Sequence, residues 1–293
     1  MKSQRFAYVY ALIAVFLWST VASAFKISLE YLNPSQLLFY AVLCSIFTLF
    51  SILIYQKKTA LILMHIKDNF WMIVFLAILN PFLFYLVLFK AYDLLPVQEA
   101  QTINYTWALT LSYLSIPLLK QKLHLRDFIA GVICYFGVLV IATKGSPFSL
   151  EFSSTLGIIL ALSSTVFWAL YWIYNTKITV DPVVGLFCNF LLSFPFILLY
   201  VYFDEGFILP PIKGFLGAFY VGLFEMSITF LFWLKAMKET ISTSKIANLI
   251  FIAPFVSLIL IYLILDEKIL FSTVIGLCLI IMGLLLQQIK KRS

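Results

Sequence analysis

Glu225 lies near the middle of the apolar stretch Gly222-Leu-Phe-Glu-Met-Ser-Ile-Thr-Phe-Leu-Phe-Trp-Leu-Lys235. Of the chain's thirteen acidic residues, it is the one set deep inside an apolar run and not at an end or in a loop. A charge at such depth costs roughly 2.5–3.5 kcal/mol on insertion scales, so it needs a partner, water or a proton. Its available chemistry is to bind an ammonium or to carry a coupling proton; its plainer alternative is a hydrogen-bond hub between helices. Asn80 holds the matching depth of an earlier run, and Pro81 after it cannot donate to the carbonyl of Ala77. That frees an acceptor and predicts a kink. Gln101, Asn104, Tyr105, Ala108, Ser112 and Ser115 fall on one helical face, as cavity-lining or helix-contact residues would. Asn80 and Asn104 could equally be glue between helices.

The elements that must position these groups are themselves apolar. With 63% hydrophobic and 11% charged residues over 293 positions, the chain lies outside the range of soluble globular domains. Apolar runs of about twenty residues, enough to cross about 30 Å of hydrocarbon, recur from end to end. The reading is a polytopic helical membrane protein, all-α. A net charge of +7 comes from Lys and Arg scattered through short connections, with no basic stripe, so nucleic acid is not expected as a partner. Cys44, Cys134, Cys188 and Cys278 fall inside spans without C-x-x-C spacing and read as small buried residues. His65 and His124 are placed in loops, so neither a metal site nor a His-based catalytic centre is expected, and no cofactor. Lys2, Arg5 and Ala22-Ser-Ala24 resemble parts of a signal peptide, but the segment has a counterpart later in the chain and reads as a retained first span.

Ten spans are predicted, at about 6–29, 36–55, 70–92, 95–119, 127–143, 154–175, 183–203, 214–237, 242–265 and 270–289. Alternate connections hold fifteen of the twenty Lys and Arg, against Lys26, Lys90, Lys144, Lys213 and Lys268 on the other side. The bias puts both termini in the cytoplasm. Span 1 presents Ala7, Ala11, Ala14, Trp18 and Ala22 on one face, and span 6 presents Gly157, Ala161, Thr165, Trp168 and Trp172. Trp18 and Trp168 sit away from the interfacial belt, which favours lining over packing. Gly214, Ala218 and Gly222 form a small-residue row for close helix approach, and Glu225 is expected to continue that face into the bundle. Lys26 and Glu99, near the outer ends of their spans, read as interfacial, with a gate pair between them as the alternative.

The halves repeat. Phe16-Leu-Trp18 recurs as Val166-Phe-Trp168, and Lys90-Ala91 as Lys235-Ala236. The second offset places Asn80 opposite Glu225. Leu119-Lys-Gln-Lys-Leu123 answers Leu265-Asp-Glu-Lys-Ile269. Five spans per copy is odd, so the second copy (146–293) must be inverted relative to the first (1–145). Inverted repeats are common in secondary transporters, with the substrate site at the repeat interface.

These features together resemble the drug/metabolite transporter superfamily, EamA type: Trp18, Asn33-Pro34, Leu265-Asp-Glu-Lys268 and the Gly222-Leu-Phe-Glu225 helix carry the likeness. Pro96-Val-Gln-Glu-Ala-Gln-Thr-Ile-Asn-Tyr-Thr-Trp107 resembles the fourth span of bacterial amino-acid and aromatic amino-acid exporters. Ala108 replaces the proline usual after that tryptophan, and Lys120-Gln121 replaces a common Gly-Glu. The resemblance implies a central cavity formed by spans 1–4 and 6–9, and export of a small metabolite by alternating access across a bacterial inner membrane. It also adds Trp107 to the candidates. The substrate-binding or coupling set is then Glu225, Asn80, Asn104, Tyr105, Trp18, Trp168, Gln101 and Trp107. Uptake by the same fold, a passive channel and an intramembrane transferase are the alternatives. The transferase lacks converging acids or histidines, and the channel lacks a continuous polar pore.

Overall fold

The computed structural model describes residues 3–120, 125–146, 152–240, 246 and 248–288. All regular structure among them is helical. Helix α1 is Gln4–Leu29 and α2 is Pro34–Tyr55. Helix α3, Ala60–Ala77, passes through a π-helical segment, Ile78–Leu83, into α4, Phe84–Leu94. Then come α5 (Val97–Asn104), α6 (Trp107–Leu119), α7 (Leu125–Ala142), α8 (Thr155–Asn175) and α9 (Pro182–Asp204). Helix α10, Ile212–Tyr220, leads through a second π-helical segment, Val221–Ile228, into α11, Thr229–Glu239. A 3₁₀ turn, Asn248–Ile252, opens α12 (Ala253–Leu265), and α13 is Phe271–Gln288.

Local chemistry sets several of these starts. Asn33 Oδ1 accepts from Gln36 N at 2.8 Å, and Asp181 Oδ1 accepts from Val183 N at 3.0 Å, each just before a proline in the first turn. A polar cap followed by proline satisfies orphan amides and presets φ. Inside the helices, hydroxyls donate back to their own backbone, as Ser19 to Val15 O and Ser28 to Ala24 O, both within 2.7 Å. Such bonds keep those hydroxyls satisfied where hydrocarbon offers no partner.

Six helical stretches among the described residues are long and apolar enough to cross a membrane, with shorter apolar helices at Phe128–Ala142, Leu249–Leu265 and Phe271–Leu286. Large apolar side chains such as Phe16, Phe47, Leu199 and Ile259 face outward, a surface suited to lipid. This is an integral membrane protein.

Helix α1 packs along α11 and α12, while α8 packs along α4 and α6. Helix α2 crosses α9, and each also lies against the opposite π segment, α2 on Val221–Ile228 and α9 on Ile78–Leu83. Helices α7 and α13 pack on each other through Gly137 and Gly276: a Cβ on either would lie within 2.7 Å of the other's carbonyl oxygen. Small residues admit that approach where no hydrophobic force between helices is available.

Four expectations need correction. His65 lies within α3, not in a loop, and is buried with Asn69 Nδ2 3.4 Å from its Nδ1; His124 lies outside the described residues. Asn69 itself leaves helical geometry (φ −133°, ψ 22°), so a kink separates an added leg, 60–68, from the span expected at 70. The fourth span is not one helix either, because it breaks between α5 and α6 at Tyr105-Thr106. Cys278 is exposed and not buried.

Candidate functional site

The second π segment is held open by serines. Ser227 Oγ donates to the carbonyl of Gly222, five residues back, at 2.8 Å. It lies 2.8 Å from Ser45 Oγ of α2, which also reaches the carbonyl of Met226 at 3.3 Å. The wider turn leaves these carbonyls without ordinary α-helical partners, and the hydroxyls supply replacements. Gly222 lies against α2 so closely that a Cβ would collide with the carbonyl oxygen of Ala41. Glu225, three residues on, faces elsewhere: its Oε1 accepts from the hydroxyl of Tyr85 on α4 at 3.1 Å. Glu225 points into the bundle as expected, but toward α4 and not along the α2 contact of Gly222, because the π turn changes the angular register between them.

Glu225 borders a cavity of about 140 Å³. Helix α1 contributes Trp18, Ala22 and Phe25; α4 contributes Phe84, Leu88 and Tyr92; α8 contributes Trp168. Gln101 and Asn104 of α5, Tyr105 in the break and Trp107 at the start of α6 form the facing wall, and Ile250 comes from the 3₁₀ turn. Spans 2 and 7, expected as wall elements, supply no lining residue. A second cavity of about 490 Å³ continues toward Leu119, Thr176 and Met237 near the ends of α6, α8 and α11. Trp18, Trp107, Trp168 and Ile250 line both and form the boundary between them.

The boundary is aromatic. Trp168 lies 4.5 Å from Phe84, 5.9 Å from Tyr171 in a stacked pair, and 6.4 Å from Trp107 edge-on. Trp18 meets Phe230 edge-on at 5.6 Å and Trp233 at 5.5 Å. These are favoured ring geometries. The amides are anchored: Asn104 Nδ2 donates to Ser164 Oγ at 2.9 Å, and Gln101 Oε1 accepts from Ser257 Oγ at 2.9 Å.

Helix α5 is positioned from the far end of the chain. Glu267, in the Leu265-Asp-Glu-Lys268 motif, accepts from the amides of Val97 (3.1 Å) and Gln98 (3.3 Å) and from Gln98 Nε2 (2.8 Å). Gln98 Oε1 in turn accepts from Leu270 N and Thr273 Oγ1. A carboxylate on a helix N-terminus satisfies orphan amides and opposes the dipole.

Seven of the eight candidate residues therefore line one cavity: Glu225, Asn104, Tyr105, Trp18, Trp168, Gln101 and Trp107. Asn80 does not. It is 1% exposed within the first π segment, and its Oδ1 has no partner among the described residues. Glu99 is not interfacial either. It is fully buried, with Oε1 accepting from Ser153 Oγ at 2.9 Å, while Lys26 donates instead to the carbonyl of Tyr92. Tyr85, the direct partner of Glu225, escaped the sequence reading. Its signal was present, because the offset pairing Lys90 with Lys235 pairs Tyr85 with Phe230, which packs on Trp18.

The model of the EamA-like transporter family matches this chain twice, over residues 5–143 and 155–287. The chain belongs to the EamA-like transporter family. An uncharacterized transporter from Acidianus ambivalens is 30% identical over 177 residues, 58% of this chain and 66% of that relative, so the match spans just under two thirds of the relative's length. A crystal structure described simply as that of a protein superposes with a TM-score of 0.68 at 19% identity, covering 97% of each chain, which is a likeness of fold.

Proposed function

We propose that this EamA-like transporter is a secondary carrier that exports a small amphipathic metabolite, of the amino-acid class or related to it, by alternating access and without ATP. In this reading the spans number ten, and residues 1–145 and 146–293 are two five-helix copies, the second inverted. The double family match supports this, and so does the exchange of packing partners: α1 with α11 answers α8 with α4, and α1 with α12 answers α8 with α6. The paired π segments and the left-handed residues ending α6 and α12, Lys120 (φ 55°) and Asp266 (φ 52°), follow the same correspondence. Both termini face the cytoplasm of a bacterial inner membrane.

The observation that carries the reading is one carboxylate in an aromatic cavity walled by elements of both halves. Glu225 binds solute or a coupling proton, Trp18, Trp168, Trp107 and Tyr105 supply contact area, and Asn104 and Gln101 orient polar groups. The test is solute counterflow in proteoliposomes with a metabolite panel, comparing wild type with Glu225→Gln. Saturable exchange that the variant loses supports the carrier; transport by the variant at wild-type rate across pH removes Glu225 from it. Running the assay in vesicles of both orientations separates export from uptake.

A further inference from the structure

We propose, resting on the carrier reading, that helix α5 is a mobile plug sealing the central cavity from the face opposite the termini, and that Glu267 is the latch that holds it shut.

Alternating access needs the cavity closed toward one face at a time. Trp18, Trp107, Trp168 and Ile250 join the central cavity to the second one, toward the ends of α6, α8 and α11. At the opposite end the lining on α1 and α4 stops at Phe25 and Tyr92, near where those helices finish, and on α5 it stops at Gln101. Residues 97–100, the first turn of α5, lie one turn beyond that wall. All four are buried, none more than 2% exposed.

The composition of α5 suits an element that alternates between protein and water. It has eight residues, set off by Pro96 (φ −53°, ψ 142°) before it and by the break at Tyr105-Thr106 after it. Five of the eight are polar: Gln98, Glu99, Gln101, Thr102 and Asn104. An apolar plug would expose its surface to water each time the path opened, whereas a polar one exchanges its hydrogen bonds for bonds to water at small net cost.

The partners belong to the second half of the chain. Ser153 holds Glu99, Ser164 holds Asn104 and Ser257 holds Gln101. The densest set is at the N-terminus of α5, where the carboxylate of Glu267 accepts from Val97 N, Gln98 N and Gln98 Nε2. Gln98 Nε2 also donates to the carbonyl of Lys268 at 2.9 Å, and its Oε1 accepts from Leu270 N at 2.9 Å and Thr273 Oγ1 at 2.7 Å. Bonds to an ionised acceptor are the strong ones, and this acceptor also meets the positive end of the helix dipole. Glu267 is half-buried, so water can take up its oxygens when α5 leaves. It lies outside the cavity lining and acts on transport as a positioning residue.

A cysteine at position 100 reads the plug. Ala100→Cys is made in full-length protein whose Cys44, Cys134, Cys188 and Cys278 are replaced by alanine. In proteoliposomes, a membrane-impermeant maleimide is added at the face opposite the termini. Labelling should be slow with Glu267 in place. Glu267→Ala should speed it at least about tenfold, the equivalent of one hydrogen bond to a charged acceptor. Glu267→Gln, which keeps an acceptor oxygen without the charge, should fall between. Unchanged labelling in Glu267→Ala, even with a lowered unfolding midpoint, makes the residue an ordinary helix cap and overturns the latch. A second arm leaves Glu267 intact, so it holds even if the alanine variant does not fold. Gln98→Cys with Thr273→Cys, at side chains whose tips meet, is joined by a short reducible bis-thiosulfonate. Joining should stop counterflow and a reductant should restore it; counterflow that continues through the joined pair overturns the plug. Wild-type protein that exchanges no solute, with labelling still governed by Glu267, removes the carrier and leaves the latch standing.

Discussion

The two π-helical segments interrupt their helices at corresponding places yet do opposite things with a polar side chain. Ile78–Leu83 keeps Asn80 sealed against protein, without a partner for its Oδ1. Val221–Ile228 aims Glu225 into the cavity, with a tyrosine hydroxyl on one oxygen. Both segments widen their helices, but the backbone differs at the polar residue: Asn80 is extended (φ −149°, ψ 120°) before Pro81, while Val221–Ile228 stays helical through Glu225. The neighbours differ too: α9 lies on the first segment and α2 on the second, and the second is locked by Ser45, Ser227 and the bare face of Gly222. An irregular turn sets where a residue can point, and the packing around it decides whether the residue meets solute or protein.

The harshest way to break the comparison is to exchange its chemistry. In the double variant Asn80→Asp with Glu225→Gln the acid sits in the sealed segment. Transport should be lost without rescue, because position 80 does not reach the cavity. Stability in detergent should also fall by about 3–5 kcal/mol, the cost of an unpaired buried charge. Thermal unfolding beside counterflow reads both, and recovery of transport would show that the two positions are interchangeable after all.

Gly222 comes next. Its repeat-related position is Ala77, fully buried, where a Cβ is already accommodated. Gly222→Val would drive side-chain atoms into the carbonyl of Ala41, a backbone group that cannot rotate away. A loss of about 1–3 kcal/mol is expected from overpacking, measured as a lowered unfolding midpoint. An unchanged midpoint would mean that α2 is free to move away from the segment. The converse substitution at the sealed segment should be mild. Asn80→Leu removes a buried amide whose Oδ1 is unmatched but whose side chain also bonds the Tyr171 hydroxyl; relief of the unmatched acceptor offsets loss of that bond, so stability should stay within about 1 kcal/mol. Counterflow should be unaffected, and a transport defect would bring Asn80 back to the solute path.

Much of this difference was not legible in the sequence, for physical reasons. Apolar length and hydropathy reveal helices that cross a membrane, because hydrocarbon leaves the backbone no other choice. The Asn33-Pro34 and Asp181-Pro182 starts were visible as breakers. Pro81 announced a disturbance in one span, but nothing in Val221–Ile228 marks a π turn, and its serines are ordinary until Ser45 lies opposite. Depth along a helix could be read from the offset between halves; the direction a side chain faces could not, once a π turn altered the register. For that reason Asn80 lies outside the cavity lining, and Glu225 faces inward toward α4 and not along the α2 contact of Gly222. The break at Tyr105-Thr106 has neither proline nor glycine to signal it. Glu99 looked interfacial because its burial depends on Ser153, more than fifty residues away.

The same asymmetry between copies recurs, more weakly, where α2 crosses α9. Near the C-terminal end of α2, Lys58 Nζ donates to Asp181 Oδ2 at 2.6 Å, at the start of α9. At the C-terminal end of α9, Asp204 Oδ2 accepts from Ser35 Oγ at 2.8 Å, at the start of α2. One tie is an ion pair and the other pairs an acid with a neutral hydroxyl, so only the first should respond to removal of a lysine. Partial burial works to raise the Asp181 carboxyl. The hydrogen bond from Lys58, the amides of Val183 and Val184 and the lysine's charge outweigh it, leaving the carboxyl below its ordinary value. A depressed carboxylate adds stability above its unfolded pKa, near 4, and that stability is lost as pH falls through the lower folded value. Lys58→Met should therefore cost something at pH 7 and progressively less as the pH drops below about 4. Because both side chains retain contact with solvent, the cost should not exceed about 1 kcal/mol and should shrink in high salt. A penalty that persisted at low pH would assign the contribution of Lys58 to the packing of its aliphatic stem, and the two ends of the crossing would then differ in shape and not in charge.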